Sequence, residues 1–147
     1  MDKSDLKQVL EELFKSYHID YLSTDPLEIV RRYIHPEDQE ITAFIASSLA
    51  LGHSNLIKRA VGDLLDRMGP SPYRFVLNFD PLHVKKHFDG FVYRFYRDRD
   101  IGLLIWWLHQ VIHEAGSIKS FFLICQNKPD PQKCQSCPLF RFCQYPG

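Results

Sequence analysis

The sequence predicts an all-α protein, a single compact multi-helix domain that ends in a C-terminal four-cysteine loop. Apolar residues recur with helical spacing through most of residues 5–116, and caps or stop signals separate the successive stretches. A chain of 147 residues can bury about two-thirds of its unfolded surface in one core. We therefore place a helical domain over residues 1–122 and a cysteine-rich loop over residues 123–147.

Three helices are expected in the first third of the chain. The first runs from Ser4 to Tyr17 and has one apolar and one acidic face. The second begins at Asp25, with proline at its first position and Glu28 placed for a capping box, and ends near Ile34. The third begins at Pro36, and its small residues and its stop at Gly52 indicate a buried, closely packed helix.

The middle of the chain predicts one long helix and two short ones. The long helix runs from a Ser54 cap to Met68, before Gly69. Its expected inward residues are Leu56, Ala60, Val61, Leu64, Leu65 and Met68. Ser71 and Asp80 each precede a proline, which predicts helices over about 72–78 and 81–88.

Residues 91–99 alternate like a strand, but no partner strand is evident nearby, so we expect a loop or irregular turn. Asp100 is expected to cap the last long helix, which ends at Gly116. The expected inward residues of that helix are Leu103, Leu104, Trp107, Leu108, Val111 and Ile112. A short helix then begins at Ser117 and leads to Cys125.

Charge is unevenly distributed, although 18 basic and 18 acidic residues balance overall. Residues 1–40 carry a net charge of −5, whereas residues 83–99 and 119–147 each carry +3. A polyanion would therefore bind the C-terminal half. No apolar stretch is long enough for a membrane span, so we expect no membrane partner.

The four cysteines have the spacing C-x8-C-x2-C-x5-C. Disulfides would need an oxidising compartment, and the N-terminal sequence lacks the apolar run of a signal peptide, so we expect a cytoplasmic protein. Structural zinc sites usually pair two short knuckles, but only one, C-x2-C, is present. The spacing favours an iron–sulfur cluster, most simply [4Fe–4S], and leaves zinc and unligated thiols open. The candidate ligands are Cys125, Cys134, Cys137 and Cys143.

This segment resembles the C-terminal iron–sulfur loop of the endonuclease III and adenine glycosylase family, whose spacing is C-x6-C-x2-C-x5-C. The last three cysteines match that spacing, and Pro138 and Leu139 match the Pro-Leu dipeptide that often follows the C-x2-C knuckle in that family. The first gap is two residues longer here. The resemblance implies a structural cluster that displays Lys128, Lys133 and Arg141 to double-stranded DNA.

Residues 21–52 resemble the opening of a family of uncharacterised bacterial proteins, and that resemblance extends to about Phe122. Full-length members resemble helix-hairpin-helix DNA repair glycosylases, with an Asp-Thr-His segment that carries the catalytic aspartate. This chain has neither that segment nor the Leu-Pro-Gly-Val-Gly hairpin. We therefore carry no catalytic residue over, and whether the chain is an enzyme stays open.

A second candidate contact with nucleic acid lies in residues 85–99. Its cations are Lys85, Lys86, Arg94, Arg97 and Arg99, interleaved with Phe91, Tyr93, Phe95 and Tyr96. Such a set can bind phosphates and stack on bases, but it also fits a solvated charged face over half-buried aromatics. The pairs His83/His87 and His109/His113 have i,i+4 spacing for a metal, but neither has the form H-E-x-x-H.

Two functions follow from these patterns. The first is an iron–sulfur helical protein related to base-excision glycosylases and associated with DNA. The second is a zinc- or cluster-stabilised protein-interaction domain without a DNA role.

Overall fold

The computed structural model describes residues 3–16 and 25–126. Helices account for 75% of these residues, which confirms the mostly helical fold. The described residues up to Asp63 form one compact unit, and those from Leu64 onward form a second. The predicted boundary at residue 122 stays a prediction, because most of residues 123–147 lie outside the described ranges.

The first unit contains α1 (Lys3–Ser16), α2 (Leu27–Val30), α3 (Pro36–Ser48) and the start of α4 (Ser54–Met68). The Asp25 carboxylate accepts a hydrogen bond from the Leu27 N–H at 2.8 Å, so the predicted cap is present. The Glu28 carboxylate accepts hydrogen bonds from the side chains of Arg32 and Lys58 at 3.4 and 3.2 Å. Helix α2 ends four residues before Ile34, which is 90% exposed.

The core of this unit is formed mainly by α3 and the inward face of α4. Its fully or almost fully buried apolar side chains include Ile29, Ile41, Ile45, Leu49, Ile57 and Val61. The expectation for Leu56 is wrong, because it is 43% exposed while Ile57 is 5% exposed. Adjacent residues of a helix point about 100° apart around its axis, so the inward face begins at Ile57 and excludes Leu56.

The second unit contains the end of α4, α5 (Pro72–Leu77), a 3-10 helix (Pro81–His83) and α6 (Val84–Phe88), followed by β1 (Val92–Tyr93), β2 (Tyr96–Arg97), α7 (Asp98–Ala115) and α8 (Ile118–Gln126). Helix α7 contacts α5, α6, β2 and α8 and is the central element. Ser71 and Asp80 accept from the Arg74 and Leu82 N–H groups at 3.3 and 2.9 Å, which confirms both predicted caps.

Helix α7 begins earlier than expected. It starts at Asp98, and Asp100 lies in its first turn, where its carboxylate accepts from the Arg97 N–H at 2.8 Å. Its buried residues are Ile101, Gly102, Ile105, Leu108, Val111 and Ile112. Leu103 is 38% exposed, so its predicted inward position is wrong. The predicted stop is confirmed, because Gly116 has a φ of 78°.

Residues 92–97 form a hairpin, not the expected loop, and residues 98 and 99 belong to α7. Strand β1 pairs with β2 in antiparallel fashion, with Val92 opposite Arg97 and Tyr93 opposite Tyr96. Both strands lie within the same run of residues. Arg94 has a φ of 56°, which allows a two-residue connection between the strands.

Substitutions of Thr42 in α3 should change the free energy of unfolding. It is 0% exposed, and its Oγ1 has no hydrogen-bond partner among the described residues. Thr42→Val should raise the free energy of unfolding by about 1 kcal/mol, because it removes an unpaired buried hydroxyl at nearly constant shape. Thr42→Ser keeps the hydroxyl and deletes a methyl, so it should lower that free energy by about 1 kcal/mol. Urea unfolding measures both, and a destabilised valine variant would contradict this account.

Candidate nucleic-acid interface

The candidate interface comprises α6 from Lys85 onward, the following hairpin and the first two residues of α7, which together we call the basic hairpin region (residues 85–99). Lys85 and Lys86 lie in α6, Arg94 lies in the turn, and Arg97 ends β2. All four side chains are exposed. Helix α7 contacts both α6 and β2, so the two basic segments are supported by the same helix.

The hairpin register determines which side chains face the solvent. Cross-strand partners in an antiparallel pair share one face of the ribbon. Tyr93 is 9% exposed, whereas Val92 is 59% exposed. The face of Val92 and Arg97 is therefore the solvent face of the hairpin.

Only part of the expected aromatic set is accessible to a base. Phe91 and Tyr93 are buried, at 3% and 9% exposure, so the interpretation of these two as stacking residues is wrong. Tyr96 is half-buried, and Phe95 at the turn is 80% exposed. The turn thus presents an arginine and a phenylalanine side by side.

The cations of this region are uncompensated within the described part of the chain. There, no ion pair with a carboxylate involves Lys85, Lys86, Arg94 or Arg97. By contrast, Lys58 and Arg32 both contact the Glu28 carboxylate, and this contact lowers the pKa of Glu28. An uncompensated cation can neutralise a phosphate without first breaking an internal ion pair.

Arg67 of α4 supports the segment between α6 and β1, a role that the sequence pattern did not indicate. Its guanidinium donates to the Asp89 carbonyl oxygen at 2.9 Å and lies 6.0 Å from the centroid of the Phe91 ring. Gly90 follows Asp89 with a φ of 72°. Arg67 therefore helps to fix the chain where it enters the hairpin.

The histidine pairs have structural partners. His109 Nδ1 and His113 Nε2 lie 2.9 and 3.2 Å from the carbonyl oxygens of Val76 and Leu77 at the end of α5. Because a carbonyl only accepts, both nitrogens must carry protons there. His83 Nδ1 lies 2.8 Å from the Asp80 carboxylate. Among residues 3–16 and 25–126, no group of three or more His, Cys, Asp or Glu side chains is placed to hold a metal.

His87 should make the stability of the protein depend on pH. Its ring packs edge-on against Phe75, with 5.0 Å between the ring centroids. Burial lowers the pKa of His87, and the charges of Lys86 and His83 lower it further. The unfolded chain then binds a proton more readily, so stability is lost as pH falls through the ordinary histidine pKa of about 6.5.

Urea unfolding at about pH 7.5 and pH 5.5 should therefore show a smaller loss for His87→Gln than for the unchanged protein. An NMR titration of His87 measures the shift directly. Lys86→Gln should raise the pKa of His87, and a His87 pKa at or above its usual range would contradict the assignment.

Cys125 lies in α8, one residue before the helix ends. The other three candidate ligands, Cys134, Cys137 and Cys143, lie outside the described residues, as do Lys128, Lys133 and Arg141. The expected four-thiolate site therefore stays a prediction.

Residues 25–140 match the family described as "Protein of unknown function (DUF2400)". The chain belongs to this family. The match continues past Phe122, where we expected the resemblance to end, and includes Cys125, Cys134 and Cys137. Comparisons with curated proteins and with solved structures found no match. Within the described ranges, no helix of this chain is long and apolar enough to cross a membrane.

Proposed function

We propose that this protein associates with double-stranded DNA through the basic hairpin region. The observation that carries the proposal is the set of exposed cations on α6 and in the hairpin, none of which is neutralised by a carboxylate in the described residues. The exposed Phe95 in the same turn adds an apolar surface next to the Arg94 charge.

Phosphate binding by these residues would be largely independent of sequence. Lysine and arginine neutralise phosphates and release condensed counterions, and neither step depends on the base pairs. Lys128, Lys133 and Arg141 in the C-terminal loop would add further phosphate contacts. The net charge of −5 over residues 1–40 and the basic C-terminal half are consistent with phosphate binding by the C-terminal half.

The proposal is tested by fluorescence anisotropy with a labelled duplex between about 50 and 200 mM salt. Four to seven neutralised phosphates predict a slope of log affinity against log salt of about −4 to −6. Two duplexes of unrelated sequence should bind within about threefold of each other. Binding that does not depend on salt would contradict the proposal.

We extend the proposal to the cofactor: Cys125, Cys134, Cys137 and Cys143 ligate one [4Fe–4S] cluster. Four thiolates are the donor set of such a cluster, although they also suit zinc. The cluster would be structural, as in the glycosylase loops that this segment resembles. Anaerobic purification should give iron, sulfide and absorbance near about 400 nm. Stoichiometric zinc without iron or sulfide would favour the zinc alternative.

No catalytic step is proposed. After Asp100 the sequence contains one aspartate, Asp130, which lies between the first two cysteines. A glycosylase needs a carboxylate at the sugar and a pocket for the base. A descendant of a glycosylase without these catalytic groups would thus retain only the ability to bind DNA.

The alternative function, a protein-interaction domain, is favoured by one observation on α1. Its apolar face is exposed, with Leu6, Val9, Leu10 and Leu13 between 42% and 55% accessible. A partner protein that covers this face should bind less well to a variant with Leu10→Lys and Leu13→Lys. The same variant should keep its DNA affinity if the basic hairpin region binds DNA.

A further inference from the structure

A cavity of about 680 Å³ lies beside α6 and the first turns of α7. Its apolar walls include Val84 and Leu103, and the half-buried Trp106 forms one side. This volume falls within the range of about 300–1,000 Å³ that is typical of small-molecule sites. The cavity is thus large enough for a ligand with a planar ring and a charged group.

The ring of Trp106 is held in place by a chain of contacts. His109 stacks on it with 5.1 Å between centroids and 16° between ring planes. His109 is itself fixed, because its Nδ1 donates to the Val76 carbonyl oxygen at 2.9 Å. A ligand that stacks on Trp106 would therefore meet a preorganised surface at little entropic cost.

Helices α6 and α7 approach closely at Gly102. A Cβ at this position would lie 2.6 Å from Val84 Cγ1. Lys85 follows Val84, so this contact fixes the backbone of Lys85 relative to α7. The side chains that line the cavity from the two helices therefore stand on a rigid base.

The charged lining consists of Lys85, Arg99 and Asp98. Within the described residues, neither cation forms an ion pair with a carboxylate. Asp98 Oδ1 accepts from the Arg99 backbone N–H at 2.8 Å, and no hydrogen bond within that part of the chain involves Oδ2. Two cations and one carboxylate favour an anionic ligand that also donates a hydrogen bond.

We propose that this cavity binds a nucleotide unit. Its base lies against Trp106, its phosphate contacts Lys85 and Arg99, and an exocyclic amino group of the base donates to Asp98. Aromatic stacking and charge-assisted phosphate contacts are the usual means of holding a single nucleotide. This inference deepens the proposed function. It rests on that function in one respect: the nucleotide is taken to belong to a DNA strand.

The test uses Trp107→Phe, which leaves Trp106 as the sole tryptophan and keeps an aromatic ring beside Phe121. Deoxycytidine 5′-monophosphate should quench its fluorescence saturably. Deoxycytidine alone and inorganic phosphate alone should each bind at least about tenfold more weakly. Absence of saturable quenching, or binding of free tryptophan in place of the nucleotide, would overturn the proposal.

Lys85→Gln and Lys86→Gln form a matched pair, because both remove one exposed charge from α6 and only Lys85 lines the cavity. Lys85→Gln and Arg99→Gln should each weaken nucleotide binding by about three- to tenfold, and Lys86→Gln by less than about twofold. Asp98→Asn should reduce the preference for deoxycytidine monophosphate over thymidine monophosphate. Equal losses from Lys85→Gln and Lys86→Gln would contradict the assignment.

A competition experiment identifies whether the nucleotide comes from a DNA strand or is free in solution. A single-stranded oligodeoxycytidine that displaces the monophosphate assigns the cavity to a DNA strand, whereas failure to compete assigns it to a free nucleotide. If duplex DNA binds with the expected salt dependence and no mononucleotide binds, this inference is wrong and the proposed function stands. If the mononucleotide binds and duplex DNA does not, the proposed function is wrong and the cavity assignment stands.

Discussion

Gly102→Ala should destabilise the protein by about 1–3 kcal/mol, although alanine is the better helix former. The added Cβ would lie 2.6 and 2.7 Å from the two methyl carbons of Val84 and 3.2 Å from its Cβ. Gly102 is buried in α7, so either α6 must move or Val84 must leave its rotamer. Urea unfolding measures the loss.

Gly62 of α4 provides the matched control. It also lies inside a long helix, but a Cβ there would meet no atom within 4 Å. Gly62→Ala should therefore raise the free energy of unfolding by about 0.5–1 kcal/mol. Combining Gly102→Ala with Val84→Ala should recover part of the lost stability, since the clash involves the Val84 methyls. A Gly102→Ala variant as stable as Gly62→Ala would contradict the described contact.

The second large effect concerns charge. A triple variant with Lys85→Gln, Arg94→Gly and Arg97→Gln should flatten the salt dependence of duplex binding by about three units of slope. Glycine is chosen at Arg94 because its φ of 56° is a conformation that glycine adopts without strain. The variant should therefore keep its fold while losing three phosphate contacts.

The control removes three exposed arginines from other parts of the chain, with Arg31→Gln, Arg59→Gln and Arg74→Gln. Both triple variants lose the same formal charge, so a purely global attraction would affect them equally. We expect the control to lose less than about one unit of slope. Equal losses would show that no localised interface exists.

Local signals were the most predictable features of the fold. The caps at Asp25, Ser71 and Asp80 and the stop at Gly116 all depend on residues within one helical turn. Such interactions need no knowledge of distant packing. The sequence therefore identified most of the helices, although boundaries shifted by a few residues.

The inward faces were harder to predict, because they depend on tertiary packing. Leu56 and Leu103 fit an apolar periodic pattern, yet the buried stripes begin at Ile57 and Ile101. Adjacent apolar residues allow two phases of the same helical period, and only the neighbouring elements select one. The close contact of Gly102 with Val84 is likewise invisible to periodicity.

The hairpin was missed because its turn carries no usual turn residue. Two-residue hairpin turns favour Asn-Gly or a first glycine, whereas this turn has Arg94 and Phe95. The candidate cations were nevertheless identified from composition. Their exposure and the burial of Phe91 and Tyr93 depend on tertiary packing, which includes the contact of β2 with α7.

Amide chemical-shift mapping with a short duplex tests the central claim most directly, because it locates the contact on the chain. Our account predicts that the largest perturbations fall within residues 85–99, with Arg94 and Phe95 among them, and that they diminish as salt is raised. Residues of α1 should be unaffected. Perturbations confined to α1, or no perturbation of residues 85–99 at saturating DNA, would contradict the assignment of this region as a DNA interface.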